Sequence, residues 1–175
     1  QTEKKFTNTL TTSYGSNSKI KFGFDSNFGN QKEFNIGVYS ESSEGISIYP
    51  EGNEDDGYDL LSYNLGYTGS LNETDYELIF LNSEQDTDLD GSGADDLDYT
   101  ANTKFSFFQL KANSDSKYGK INLIIDHNQW DREYLNGSEL DTYDSSTSHI
   151  RIVDTIKSIK FSNSIGIDHY NYSAK

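Results

Sequence analysis

Seven carboxylates and no base fall between Glu84 and Asp98, in the run Glu-Gln-Asp-Thr-Asp-Leu-Asp-Gly-Ser-Gly-Ala-Asp-Asp-Leu-Asp. Like charges packed this densely repel one another unless water solvates the run or a cation gathers it. Asp86, Asp88 and Asp90, followed by Gly91, have the spacing of a calcium loop. In such a loop alternate side chains turn toward one centre and a hard divalent ion takes about six to eight oxygens, while glycine permits the sharp turn that brings later ligands round. Asp95, Asp96 and Asp98 are the candidates to close the site, and calcium is the expected cofactor. A second group suits an organic ligand. The stretch from Asp126 to Tyr134 joins the chain's only tryptophan to amides, a second aromatic and charges of both signs. Sugar rings are held by aromatic faces while amides, carboxylates and guanidinium groups bond their hydroxyls, so Asp126, Asn128, Trp130, Arg132 and Tyr134 form a candidate glycan site.

The opening Asp-x-Asp-x-Asp-Gly resembles that of EF-hand, dockerin and thrombospondin type 3 loops, over about a dozen residues. The resemblance implies a calcium ion held by Asp86, Asp88 and Asp90. It stops short of a full EF-hand, since the twelfth position from Asp86 is Leu97 rather than glutamate. Catalytic motifs are missing: there is no His-Glu-x-x-His, no Gly-x-Ser-x-Gly, no phosphate loop, and His127, His149 and His169 have no metal-ligand spacing.

The elements that must position these residues are strands. Phe6, Leu10 and Tyr14 alternate with threonines; Ile20, Phe22 and Phe24 share one face, as do Phe34, Ile36 and Val38. Further segments of this kind are 46–49, 58–67, 76–81, 104–111, 120–126, 149–154, 156–161 and 165–172, whereas 127–147 is the least regular part and reads as loop. About ten strands, β-rich composition and a single proline predict an all-β fold, an antiparallel β-sandwich of jelly-roll type with little or no helix. The core it predicts contains Phe22, Phe24, Ile36, Phe105, Phe107, Leu123, Ile125, Ile152 and Phe161. One domain over 1–175 accounts for the length, with no internal repeat and no linker.

A net charge of −15 argues against nucleic acid and anionic membranes as partners, and no run is long and apolar enough for a membrane helix. The Gln1 start and the lack of methionine fit a chain whose leader has been removed, which makes secreted or cell-surface the expected location. The texture is similar to carbohydrate-binding modules and adhesin domains of secreted bacterial proteins. The leading reading is therefore a non-catalytic, calcium-stabilised module for a glycan or cell-surface ligand, without membrane insertion. A structural subunit assembling with other copies through terminal strands comes second, and a polysaccharide-acting enzyme third. An outer-membrane β-barrel ranks fourth, because the apparent strands are short and rich in hydroxyls.

Overall fold

A computed structural model describes residues 5–29, 32–45, 56–90, 98–117, 119–157 and 162–175. They form nine strands: β1 (Lys5–Tyr14), β2 (Ile20–Gly29), β3 (Glu33–Ser43), β4 (Tyr58–Leu71), β5 (Thr74–Asp88), β6 (Tyr99–Ser116), β7 (Gly119–Asn136), β8 (Glu139–Lys157) and β9 (Ser162–Ala174). Every pairing is antiparallel and every strand touches only its neighbours in sequence, so the sheet is one open meander in the order β1 to β9. The all-β, antiparallel reading holds, and no helix occurs among the described residues. The two packed layers of a sandwich are not formed by them. The strands are also fewer and longer than the sequence implies, at 10 to 19 residues.

The largest difference is at 127–147. What reads as loop is the second half of β7 and the first half of β8, paired from Asp126↔His149 up to Asn136↔Glu139. Gly137-Ser138 makes the two-residue turn between the paired Asn136 and Glu139, with Gly137 at φ 56° in its first position, where a turn matching strand twist requires a left-handed residue. Asn72, at φ 55°, does the same between β4 and β5. The expected strands over 46–49 and 156–161 lie wholly or partly outside the described residues.

Register sorts the side chains into two faces. On one, the paired row Phe6, Phe28, Phe34, Tyr67, Leu78, Leu110, Ile125 and Ile150 crosses eight strands without a polar residue. Ile36, Leu65, Phe80, Phe108, Leu123, Ile152 and Ile167 lie on the same face. Its aromatics touch in series: Phe6 stacks on Phe28 at 5.8 Å, Phe28 on Phe34 at 5.2 Å, and Phe34 on Tyr67 at 4.8 Å. The other face carries Lys21, Asp25, Asn27, Asn35, Glu41, Asn64, Asp126, Arg132 and His149.

Nothing in the described chain covers the apolar face. Ala101 is the one buried apolar residue, whereas Phe22, Phe24, Ile36 and Ile152 of the predicted core are 38 to 46% exposed. Phe105 and Phe107 lie on the polar face, opposite to Phe22 and Phe24, and Phe161 is outside the described residues. The accessible surface of 12423 Å2 compares with roughly 8,600 Å2 for a compact chain of this mass. An uncovered sheet of this kind has the period-two pattern of a sandwich without its second layer.

Candidate functional site

The apolar face does not run parallel to the hydrogen-bonded rows. On β1 and β2 its upper margin is Tyr14 and Ile20, one paired row; on β3 it is Val38, on β4 Leu61, one step back toward the Ile20 row, on β5 and β6 Phe80 and Phe108, on β7 and β8 Ile125 and Ile150, and on β9 Ile167. Traced through the register, the row of Ile20 reaches β5 at Asp86 and the row of Ile167 reaches it at Tyr76, ten residues lower. The margin thus descends ten residues over eight inter-strand steps. With about 3.3 Å per residue and about 4.8 Å between strands, it is inclined about 40° to the rows. The lower margin descends less, because β1 to β3 end at Phe6, Phe28 and Phe34.

Above this slanting band the same face turns polar: Glu84, Asp86, Asn102, Lys104, Gln129, Asp131, Glu133 and Asp144 occupy it on β5 to β8. Within the band, the side chains of Asn8 and Ser26 satisfy each other, Ser26 donating at 2.7 Å. Asp154 lies within the band on β8, between Ile152 and Ile156, and is paired with Ile121 and Ile165. Connections differ between the two ends. At the lower end they are 30–32, 72–73, 117–118 and 158–161; at the upper end they are 15–19, 44–57, 89–98 and 137–138, which include both the longest and one of the shortest.

The polar face holds two built clusters. In the first, Glu41 is 7% exposed and accepts ion pairs from Lys19 at 2.6 Å and Lys21 at 2.8 Å, with the hydroxyls of Tyr39 and Tyr58 also donating to it. The two lysines, then the two tyrosines, hold its carboxyl far below the usual carboxylate range. In the second, His149 Nδ1 lies 2.9 Å from Asp126 Oδ2 and Nε2 lies 3.2 Å from Asp168 Oδ1, with the Tyr170 ring stacked on the imidazole at 4.1 Å. The hydrogen bonds to Asp126 and then Asp168 raise the His149 pKa. Sequence reading missed both clusters, because their members become neighbours only through register.

The five candidate ligand residues share the polar face of β7, as alternate positions on one strand must. They form a row about 27 Å long at the usual rise, not a cluster around one sugar. Trp130 is 48% exposed and packs on Phe105 at 4.5 Å. Arg132 and Tyr134 reach a recess of about 620 Å3 shared with Tyr99, Tyr143, Glu139 and Asp141. Asp126 instead serves the His149 cluster, and Asn128 pairs with Phe107 and Thr147.

Of the candidate calcium ligands, Asp86 and Asp88 lie inside β5, where Asp86 accepts a hydrogen bond from Asn102 at 2.6 Å. Asp90 follows the strand, Asp98 precedes β6, and Asp95 and Asp96 are outside the described residues. Among the described residues no three His, Cys, Asp or Glu side chains are grouped to hold a metal. No helix among them is long and apolar enough to cross a membrane. No protein family, no curated protein and no solved structure matches the chain.

Proposed function

We propose that this sheet is a section of the wall of a transmembrane β-barrel, with the slanting apolar face against lipid and the polar face lining an aqueous lumen. The observation that carries the reading is the slope. A membrane slab cuts tilted barrel strands obliquely, and spanning strands tilt by about 35–45°, so the apolar margin must cross the hydrogen-bonded rows at that angle. A second sheet packed in a sandwich asks for no such net descent. Three further features support it: strands of 10 to 19 residues, where about 9–11 suffice to span; the two longest connections, 44–57 and 89–98, at the same end; and the aromatic row from Phe6 to Tyr67 at the lower margin. The observed lengths remove the objection that the strands are too short for a barrel. Apart from Thr12 and Ser26, which lie inside the band, the hydroxyl-rich stretches fall above it or on the polar face.

Hydrocarbon offers no partner to the outer edges of β1 and β9, so further strands must pair with them. Nine antiparallel strands leave β1 and β9 running the same way. Direct closure would therefore be parallel, and closure with antiparallel pairing throughout takes an odd number of additional strands. A polar lumen-facing surface suits passage of water-soluble solutes.

The chain has no cysteine, so single cysteines from position 61 to 71 of β4 can be introduced one at a time and reacted with a membrane-impermeant maleimide in the native membrane. Slow reaction at Leu61, Tyr63, Leu65 and Tyr67, alternating with fast reaction at Ser62, Asn64 and Gly66, is the expected pattern. Uniform labelling, or recovery of the protein wholly in the soluble fraction, defeats the reading. The glycan-module reading keeps one specific observation in its favour, the recess beside Arg132 and Tyr134.

A further inference from the structure

We infer that this recess binds an uncharged oligosaccharide, in a site that starts at Tyr143 and continues to Trp130. It lies on the polar face where β6, β7 and β8 meet, and its volume of about 620 Å3 falls in the range of about 300–1,000 Å3 typical of small-molecule sites. Register brings the lining together. Tyr99 is paired with Asn136 and Asn136 with Glu139, while Tyr134 is paired with Asp141 and Arg132 with Tyr143, so all of these side chains stand on one face around the recess.

The rings are arranged as floor and platform. Arg132 lies over the Tyr134 ring with its guanidinium carbon 4.8 Å from the centroid, which occupies that ring. Tyr143 meets Tyr134 edge-on, at 5.8 Å and 87°, and is 57% exposed, so its own ring is presented to the recess. Arg132 is paired with Tyr143; two residues along β7, about 7 Å away, the half-exposed indole of Trp130 offers the next ring, steadied by Phe105. Two aromatic platforms on adjacent strands, diagonal neighbours across the β7–β8 pair, suit consecutive sugar rings, whose C–H faces stack on them.

The polar groups fit hydroxyls rather than a charged ligand. Arg132 supplies donors, while Glu139 and Asp141 supply acceptors from across the β7–β8 hairpin. Among the described residues none of these three forms an ion pair with another side chain. Two carboxylates to one guanidinium disfavour an acidic sugar. The site requires only that the polar face meet water, so it goes beyond the barrel reading and does not depend on it.

The test uses the full chain in detergent micelles and titrates maltotriose, cellotriose, xylotriose and mannotriose, following Trp130 fluorescence and, in parallel, heat of binding. At least one saturates with Kd in the millimolar range or tighter; replacing its sugars with glucuronate units weakens it. Tyr143→Ala weakens binding about tenfold and Tyr143→Phe, which keeps the ring face, by no more than about twofold. Should Tyr143→Ala lose its β-sheet circular dichroism, the exposed isosteric Asp141→Asn carries the same direction, a loss of about threefold or more. The inference fails if none of the four saccharides binds at about 10 mM, or if folded Tyr143→Ala or Asp141→Asn binds like the parent. A negative cysteine pattern with positive saccharide binding removes the membrane reading alone.

Discussion

Phe24 and Gln129 lie in the same hydrogen-bonded row, Leu10, Phe24, Val38, Tyr63, Asn82, Ser106, Gln129, and on the same face. On the proposed barrel reading, a slanting membrane band separates them. Phe24 is four residues below the upper margin at Ile20, about 13 Å along the strand at the usual rise and about 10 Å in depth once tilt is included, near the middle of a band about 25 Å tall. Gln129 is four residues above the margin at Ile125, and so about 10 Å outside. An arginine at mid-depth on a lipid face costs about 2–4 kcal/mol, whereas outside the band the cost is near zero. Phe24→Arg should therefore shift the folding equilibrium in lipid vesicles by about 30- to 1,000-fold, and Gln129→Arg by less than about threefold. Urea titration in phosphatidylcholine vesicles, read by the mobility difference between folded and unfolded protein on unheated gels, measures both. Equal destabilisation of the two variants would mean that the band follows the rows, and the tilt argument would fall. Equal tolerance would mean that no lipid contacts Phe24.

Two other outcomes follow from the site residues. If Asp86, Asp88 and Asp90, with Asp95, Asp96 or Asp98, hold calcium, the ion stabilises the fold by about 2.7 kcal/mol at a hundredfold excess over Kd. The melting temperature should then rise in millimolar calcium relative to EDTA, and an unchanged value removes the ion. For His149 the folded pKa is raised by Asp126 and Asp168, so its contribution is complete below the unfolded value of about 6.5 and is lost as pH rises through the higher folded value. The urea midpoint should fall over that interval in the parent and lose this component in His149→Gln; an identical pH profile in the two proteins would show that the imidazole is not coupled to folding.

Much of the sheet was legible because period two needs no tertiary knowledge. Phe34, Ile36 and Val38 declare a shared face by spacing alone, and so do Phe6, Leu10 and Tyr14. Strand length was not legible. Gln85 to Asp88, Thr100 to Lys104 and Gln129 to Thr142 are polar on both faces over much of their length, so periodicity carries no signal there, and the hairpin turning at Gly137-Ser138 reads as loop. The layer arrangement was hidden for a different reason: one apolar face per strand serves a sandwich and a membrane wall equally. The slope that separates them exists only after nine strands are set in register. The five candidate ligand residues read as loop, so their shared face as even-numbered positions of β7 emerges only from the structure, as does the grouping of Asp126 with His149 and Asp168 and of Arg132 with Tyr143.

Neighbour-only pairing also governs how such a chain can change over generations. Each hairpin leaves its flanking strands facing the same way and running the same way as before, so duplicating or deleting a two-strand unit such as β4–β5 preserves the direction and facing of the strands beyond it. Circumference is then a quantity that recombination can adjust in steps of two strands. A packed sandwich, where each strand also leans on one from the opposite layer, has no comparable freedom.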